Sequence, residues 1–371
     1  MFSHDDERFM RMALAQAEAA LYLTSPNPRV GCVLVKDGAV IGAGHTQRAG
    51  GPHAEVMALR AAREAGHDTA GATAYVTLEP CNHFGRTPPC SMTLLEAGVA
   101  RVIAAVEDPH PAAQGGLARL RDAGVEVRCG LLRDEATEIN RGFLRRAQGG
   151  LPWVRVKAAV SLDGRTALAN GVSQWITGEA ARADGHHWRA RACAVLSGIG
   201  TIRKDDAQLN VRAVDTPRQP RRILVDSRLE VSLEAKLLHS HGGPVTVLHV
   251  SRDADKEAEL RDRGVQLIQV PEAANKPGKV DLRAAIQALA DEGLNEIHVE
   301  GGGKLNGSLI AAGVVDELLV YVAPRLMGEG PGIAEQPAYS LLGDAPQLQL
   351  HSAQVIGEDV RILARFRPQQ G

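Results

Sequence analysis

A chain of 371 residues exceeds the usual size of one hydrophobic core, and at roughly 150 residues per domain it should fold as two. Hydrophobic residues make up 44% of it and aromatics only 3%, so the cores must be built from Val, Leu, Ile and Ala, which suits layered α/β architecture. A net charge of −2 gives no overall pull toward nucleic acid or anionic membranes, no apolar run approaches membrane-span length, and the opening MFSHDDERFM lacks the order of a signal peptide. A cytoplasmic protein acting on small molecules, with no nucleic-acid or membrane partner, is expected.

Apolar spacing at Phe9, Ala13, Ala17 and Leu21 predicts a first helix over about Asp5 to Leu23, ended by Ser25-Pro26-Asn27-Pro28. Val30 to Val35 and Ala39 to Gly44 flank Asp37-Gly38, a strong hairpin signal. A helix from His53 to Ala65 follows, then strand Ala74 to Leu78 and a loop carrying Cys81 and Cys90, in which Pro88 and Pro89 pre-set the next helix. Gly149-Gly150-Leu151-Pro152 interrupts the pattern and marks a boundary between domains 1–148 and 149–371.

Beyond it the rhythm restarts. Strands are expected at Trp153 to Ser161, Ala194 to Ile199, Ile223 to Val225, Val245 to Val250 and Val265 to Val270. Helix Leu282 to Glu292, strand Ile297 to Val299, helix Leu305 to Ala312, strand Leu318 to Ala323 and a closing antiparallel strand Val360 to Phe366 complete the α/β pattern.

Of five cysteines, Cys32, Cys129 and Cys193 sit in apolar strand-like settings and read as core, while Cys81 and Cys90 read as metal ligands. His53 and Glu55 share the first turn of one helix and can converge on a point beyond its end. His53, Cys81 and Cys90 supply three ligands for a catalytic zinc with a fourth position left for water, and Glu55 is the proton carrier rather than a ligand. The helix N-termini favour a thiolate at Cys90. The plain alternative is a structural zinc or an unmetallated pair; a structural site needs a fourth protein ligand, for which His83 is the candidate, and it has no use for a glutamate at the second residue after the histidine. Zinc deaminases carry H-x-E followed by P-C-x-x-C; here eight residues separate the cysteines.

The runs Asn27-Pro28-Arg29-Val30-Gly31, Gly42-Ala43-Gly44-His45, Gly51-Pro52-His53-Ala54-Glu55 and Glu79-Pro80-Cys81 through Thr87-Pro88-Pro89-Cys90 resemble the deaminase half of the RibD family of riboflavin biosynthesis. The long cysteine loop ending T-P-P-C separates that family from cytidine and tRNA deaminases. The resemblance implies that Asn27, His45, His83 and Arg86 line the pocket around a pyrimidine and its ribose phosphate, the plain reading being an asparagine held in a turn and an exposed arginine.

In the second half, Glu300-Gly301-Gly302-Gly303 joins a strand to a helix, so backbone N–H groups could face a pyrophosphate. It is not the G-x-G-x-x-G fingerprint, because Asn306 stands at the third glycine position, and alone it reads equally as a plain turn. Lys157 to Gly164, Ser173-Gln174-Trp175-Ile176, Gly198-Ile199-Gly200-Thr201 and Asp205-Asp206 occur in an order similar to the RibD reductase domain, which resembles dihydrofolate reductase. The resemblance implies NADPH contacts at Ala159, Trp175, Thr201, Asp205, Gly302, Gly303, Lys304, Leu305, Asn306, Gly307 and Ser308. It implies substrate contacts at Ser173, Arg189, Leu209, Arg212 and Glu300, with Arg189 and Arg212 as phosphate clamps and Lys157 orienting the ribose. Ala207 replaces a usual proline and should loosen the loop carrying Leu209 and Arg212. Trp175 and Arg189 have plain readings as a packed aromatic and a solvated helix face. Arg228 and Arg252 are candidates for reading the 2′-phosphate of NADPH.

The expectation is a cytidine-deaminase-like three-layer domain followed by a dihydrofolate-reductase-like α/β domain, a bifunctional homo-oligomer, dimer or tetramer, using Zn²⁺ and NADPH. It would deaminate 2,5-diamino-6-(5-phosphoribosylamino)pyrimidin-4(3H)-one and then reduce the ribosyl group of the resulting uracil to ribityl. The rivals are an RNA-editing zinc deaminase with an accessory nucleotide-binding domain, which would want a basic, aromatic-bearing surface, and a decayed zinc-stabilised binding protein, which would not retain Glu55.

Overall fold

The computed structural model describes residues 2–84 and 88–367. The chain divides into two compact units, one ending at Gly150 and one beginning at Leu151.

In the first unit helix α1 (His4–Ala19) opens on a reciprocal cap: the Asp6 amide donates to Ser3 Oγ at 3.1 Å and the Ser3 amide to Asp6 Oδ2 at 2.9 Å. It stops four residues short of the predicted end, because residues 20–23 form a turn. Strands β1 (Gly31–Lys36) and β2 (Ala39–His45) form the expected hairpin, with Asp37 and Gly38 both at positive φ, 52° and 78°. Helix α2 (Ala54–Glu64), strand β3 (Thr73–Val76), helix α3 (Cys90–Glu96), strand β4 (Arg101–Ala104), helix α4 (Gly116–Asp122), strand β5 (Glu126–Cys129) and helix α5 (Arg133–Ala147) follow.

The sheet order is β2-β1-β3-β4-β5, antiparallel about β1 and parallel from β3 to β5. Helices cover both faces, as two close approaches demonstrate. A Cβ on Gly31 would come within 1.9 Å of the Ala13 carbonyl of α1. A Cβ on Gly44, which pairs with the next strand position, Cys32, would come within 2.5 Å of Met57 in α2. Neighbouring strand positions point to opposite faces, so α1 and α2 sandwich the sheet, and only glycine lets α2 seat this deeply. The three-layer, cytidine-deaminase-like expectation holds.

The second unit contains β6 (Trp153–Ser161), α6 (Glu179–Arg191), β7 (Ala194–Gly198), α7 (Ile199–Asp205), β8 (Arg221–Val225), α8 (Lys236–His239) and β9 (Val245–His249). It continues with α9 (Ala254–Asp262), β10 (Gln266–Gln269), the small hairpin β11 (Glu272–Ala273) and β12 (Lys276–Val280), α10 (Leu282–Asp291) and β13 (Glu296–Val299). Helix α11 (Gly303–Ala311) and strands β14 (Glu317–Ala323), β15 (Leu348–Ile356) and β16 (Asp359–Phe366) complete it. The main sheet runs β10-β9-β8-β7-β13-β6-β14-β16-β15, parallel as far as β14 and antiparallel through the last two strands. Strand β15 was not expected from the sequence: it is an edge strand, mostly exposed, and its apolar–polar alternation is broken at an irregularity between Leu350 and Ser352.

Strand order decides where a ligand can bind. Strands β7 and β13 are parallel neighbours, each running directly into a helix, α7 and α11. Their carboxyl ends are tied together: the Glu300 amide donates to Leu196 O at 2.8 Å and Ser197 Oγ to Glu300 O at 2.6 Å. Open α/β sheets bind ligands in the crevice outside such ends.

Candidate active sites

In the first unit several strand ends meet. Thr46 N donates to Val30 O, Thr77 N to Gly31 O, and Gly31 N to Thr77 Oγ1. The segments carrying Asn27, His45, His53 and Cys81 therefore leave the sheet at one end. Arg29 fixes the first of them: its amide donates to Asn140 Oδ1 at 2.8 Å, its guanidinium to Ile139 O at 2.8 Å, and Asn140 Nδ2 donates back to Arg29 O.

His53 caps α2, Cys90 is the first residue of α3, and Cys81 lies in the loop between. His53 Nδ1 is 3.3 Å from Cys90 Sγ and 3.5 Å from Cys81 Sγ. The three donor atoms all lie within 4.8 Å of one another, and among the described residues no fourth His, Cys or carboxylate joins them. His83, exposed in the loop, does not complete a structural set. One imidazole and two sulfurs with an open side is the donor set of a catalytic zinc.

Glu55 stands in the first turn of α2, 3% exposed. Burial pushes its carboxyl up to about 7 against the pull of the His53 charge. His53 is itself raised to about 8, chiefly by its hydrogen bond with Cys81. The two sulfurs are linked through the Cys90 amide and His53 and influence one another's ionisation. Hydrogen bonds from Cys90 and His53 hold the Cys81 thiol below the usual range, while the bond to Cys81, burial and the Glu55 charge push Cys90 up. His45, at the end of β2, meets Gln16 Oε1 at 3.3 Å and is lowered by burial. Asn27 is half-buried in its turn, and Arg86 lies outside the described residues.

The second site assembles at the carboxyl ends of β6, β7 and β13. Glu300, one residue beyond β13, accepts two hydrogen bonds from Arg189 of α6, Nε to Oε1 at 2.5 Å and Nη2 to Oε2 at 2.7 Å. Burial opposes ionisation of Glu300, but the Arg189 charge and hydrogen bonds, with His298 and Lys157 beside them, hold it well below the usual carboxylate range. Lys157 on β6 is lowered by burial and supported by the Glu300 charge.

His186, unnoticed in the sequence, lies between the arginines. Its Nδ1 accepts the Arg212 amide at 3.3 Å, and burial with the Arg189 and Arg212 charges lowers it to about 4. Arg189 also donates to Asn210 O at 2.8 Å and Arg212 to Asn210 Oδ1 at 3.1 Å. Much of the donor capacity of Arg189 is thus spent inside the protein, whereas Arg212 is exposed. The only sequence signal for His186 was its spacing one helical turn before Arg189.

Leu209, expected as a substrate contact, is 2% exposed, at φ 54°, and its side chain packs in the core with Ile202 and Val195. The loop around Ala207 is tied on both flanks. Asp206 Oδ1 accepts the Lys236 amide at 2.9 Å, and Asn210 Nδ2 donates to His241 O at 2.7 Å.

Around the glycine-rich turn the residues divide by role. Gly302 and Lys304 are exposed and Gly303 and Ser308 half-buried. Leu305 packs against Gly198 and Gly301. Asn306 Nδ2 donates to Ile333 O at 2.8 Å and Gly301 O at 3.3 Å, so the residue that broke the fingerprint braces the turn instead. A Cβ on Gly307 would meet Glu335 O at 1.9 Å. Ala159 and Thr201 are half-buried, Asp205 ends α7 in solvent, and Ser173 is half-buried two residues before Trp175. Trp175 is 61% exposed, with the Arg182 guanidinium 4.7 Å above its ring. Arg228 is paired with Glu230 at 3.3 Å, and Arg252 is exposed.

Comparison with known proteins bears on both units. Residues 3–106 match the cytidine and deoxycytidylate deaminase zinc-binding region, and residues 152–362 match the RibD C-terminal domain. The riboflavin biosynthesis protein RibD of Haemophilus influenzae is 44% identical over 97% of both chains. The chain belongs to the RibD family. Acinetobacter baumannii RibD superposes with a TM-score of 0.88 at 40% identity, covering 98% of this chain and 99% of that one. The Thermotoga maritima diaminohydroxyphosphoribosylaminopyrimidine deaminase/5-amino-6-(5-phosphoribosylamino)uracil reductase superposes at 0.87 with 30% identity and the same coverage. Like its RibD relatives, the protein is a bifunctional deaminase and reductase of riboflavin biosynthesis, and its second unit has the dihydrofolate-reductase-like α/β fold. A match to the RibD C-terminal domain along the second unit does not favour the rival, an RNA-editing zinc deaminase with an accessory nucleotide-binding domain. Among the described residues no helix is long and apolar enough to cross a membrane.

Proposed function

We propose that the first unit, with residues 1–148 as its functional domain, deaminates 2,5-diamino-6-(5-phosphoribosylamino)pyrimidin-4(3H)-one. Residues 149–371 then reduce the ribosyl group of 5-amino-6-(5-phosphoribosylamino)uracil with NADPH, and both steps take place in the cytoplasm. The observation that carries this reading is a buried Glu55 beside a three-donor cluster, in a chain similar along its length to a protein named for both activities.

His53, Cys81 and Cys90 would hold Zn²⁺, which supplies a Lewis acid that makes water a nucleophile near neutral pH. Glu55 takes the proton released as water adds to C2 of the pyrimidine and passes it to the departing amine, which leaves as ammonia. A carboxyl pushed up to about 7 is matched to both directions of that transfer. Asn27, His45, His83 and Arg86 are the proposed contacts to the pyrimidine ribose phosphate.

For the second reaction NADPH supplies the hydride when bound. Gly302 to Ser308, Ala159, Trp175, Thr201 and Asp205 are its proposed contacts. The hydride would go to C1′ of the ribosyl group, whose bond to the ring oxygen would break with that oxygen taking a proton. Lys157 orients the ribose, Ser173 and Glu300 border it, and Arg212 with the remaining donors of Arg189 receives the phosphate. Leu209 supports this loop from the core.

Mass spectrometry of products from the diaminopyrimidine phosphate tests the whole reading. Without NADPH the product should have exchanged an amino group for oxygen and released ammonia; with NADPH it should also have gained a hydride and a proton. Ammonia from cytidine or tRNA but none from this substrate would overturn it.

A further inference from the structure

Glu79 lies two residues before Cys81 and is 8% exposed, yet its carboxylate faces none of the three metal-ligand candidates. It is occupied by backbone. Oε2 accepts the Asp108 amide at 3.0 Å, and Oε1 accepts the amides of Gly115 and Leu117, each at 3.0 Å. The Glu79 amide donates to Val106 O at 2.8 Å. One side chain therefore ties both ends of the 108–115 loop, and the start of α4, to the segment that leads into Cys81.

The other flank of Cys81 is held too. The Asn82 amide donates to Ala113 O at 2.9 Å, and Asn82 Oδ1 accepts from Ser91 Oγ of α3 at 3.1 Å and Arg119 Nη1 of α4 at 3.3 Å. Between these anchors, the Ser91 amide donates to Cys81 O at 3.2 Å and the Cys90 amide to Cys81 Sγ at 3.4 Å. Packing is tight enough that a Cβ on Gly116 would meet Pro80 O at 1.7 Å.

We infer that Glu79 is a positioning residue for the deaminase: its three backbone hydrogen bonds, with the Asn82 bridge, hold the Cys81 sulfur at metal-binding distance from Cys90 and His53. The inference rests on the proposed zinc site. Three N–H donors converging on one carboxylate need two anionic oxygens, because a glutamine offers a single acceptor and turns an N–H group toward at least one of the donors. The buried amide facing it is then unsatisfied, and the freed loop lets Cys81 move.

The test uses the full-length enzyme loaded with zinc. Glu79→Gln should lose zinc to a chelator about 10- to 100-fold faster and lose kcat for ammonia release by a similar factor, with KM and the NADPH-dependent reductase unchanged. Amide exchange at Asp108, Gly115 and Leu117 should quicken. Glu79→Asp, which keeps both oxygens, should recover part of the loss. If Glu79→Gln does not fold, Asn82→Ala, which frees the other flank, should show the same faster metal release and lower kcat. Unchanged zinc release and kcat in a folded variant, with only a lower melting temperature, would reduce Glu79 to scaffolding and overturn the inference. Wild-type enzyme that neither holds zinc nor releases ammonia would instead overturn the proposed function.

Discussion

Replacing Glu55 by Gln changes one atom of a side chain that is 3% exposed and held between the His53 charge and the Cys90 sulfur. Burial has already pushed the carboxyl up to about 7, so a neutral amide of the same shape brings no new desolvation cost, and the deaminase unit should remain folded. What disappears is the capacity to accept and return a proton. Positioned acid–base groups contribute about 10²- to 10⁴-fold, which corresponds to about 3–5 kcal/mol of barrier, and kcat for ammonia release should fall by that factor. Glu55 lies outside the three-donor cluster, so zinc should stay at about one equivalent per chain. The assay is coupled ammonia detection with metal analysis on the same preparation, and NADPH oxidation with deaminated substrate serves as an internal control. Loss of zinc would make Glu55 a ligand. Ammonia release within about threefold of wild type would remove it from the proton path.

In the reductase unit, Arg212→Ala should raise KM for the phosphorylated substrate about 10- to 150-fold, the worth of a charge-assisted hydrogen bond, with NADPH affinity unchanged by fluorescence titration; an unchanged KM would move the phosphate elsewhere. Glu317 meets Arg155 at 2.5 Å and Arg365 at 2.9 Å while Arg155 is 2% exposed, so Glu317→Gln leaves a buried charge underpaired and should cost about 3–5 kcal/mol in urea unfolding at pH 7. Burial opposes the charge on Glu317 but the Arg155 and Arg365 charges prevail, lowering its pKa from the usual 4.5. Its stabilisation is therefore complete above about pH 4.5 and is lost as pH falls through the lowered value, so wild type and variant should converge in acid; parallel pH curves would contradict the pairing. Gly307→Ala must displace Glu335 O from 1.9 Å and should cost about 1–3 kcal/mol while weakening NADPH binding, and ammonia release should not change.

Much of the fold was legible because its signals are local. The Asp37-Gly38 turn, the β6 strand and the amphipathic α10 follow from positive-φ preference and apolar period, and their bounds fall within a residue or two of those expected. Strand β15 was not, since an exposed edge strand needs no apolar face and is created by its pairing with β16. The end of α1 was overrun because apolar spacing continues to Leu21 after the backbone has already turned.

Residue types and their spacing were enough to pick out His53, Cys81 and Cys90 as one candidate donor set with Glu55 apart from it, because few side chains can bind a metal or carry a proton and His53, Glu55 and Cys90 stand at the starts of helices. How far Glu300 commits Arg189, that burial raises the Glu55 carboxyl, and that Leu209 points inward were decided only by the folded chain. Those properties depend on desolvation and on partners a hundred residues distant, and neither is written in a local pattern.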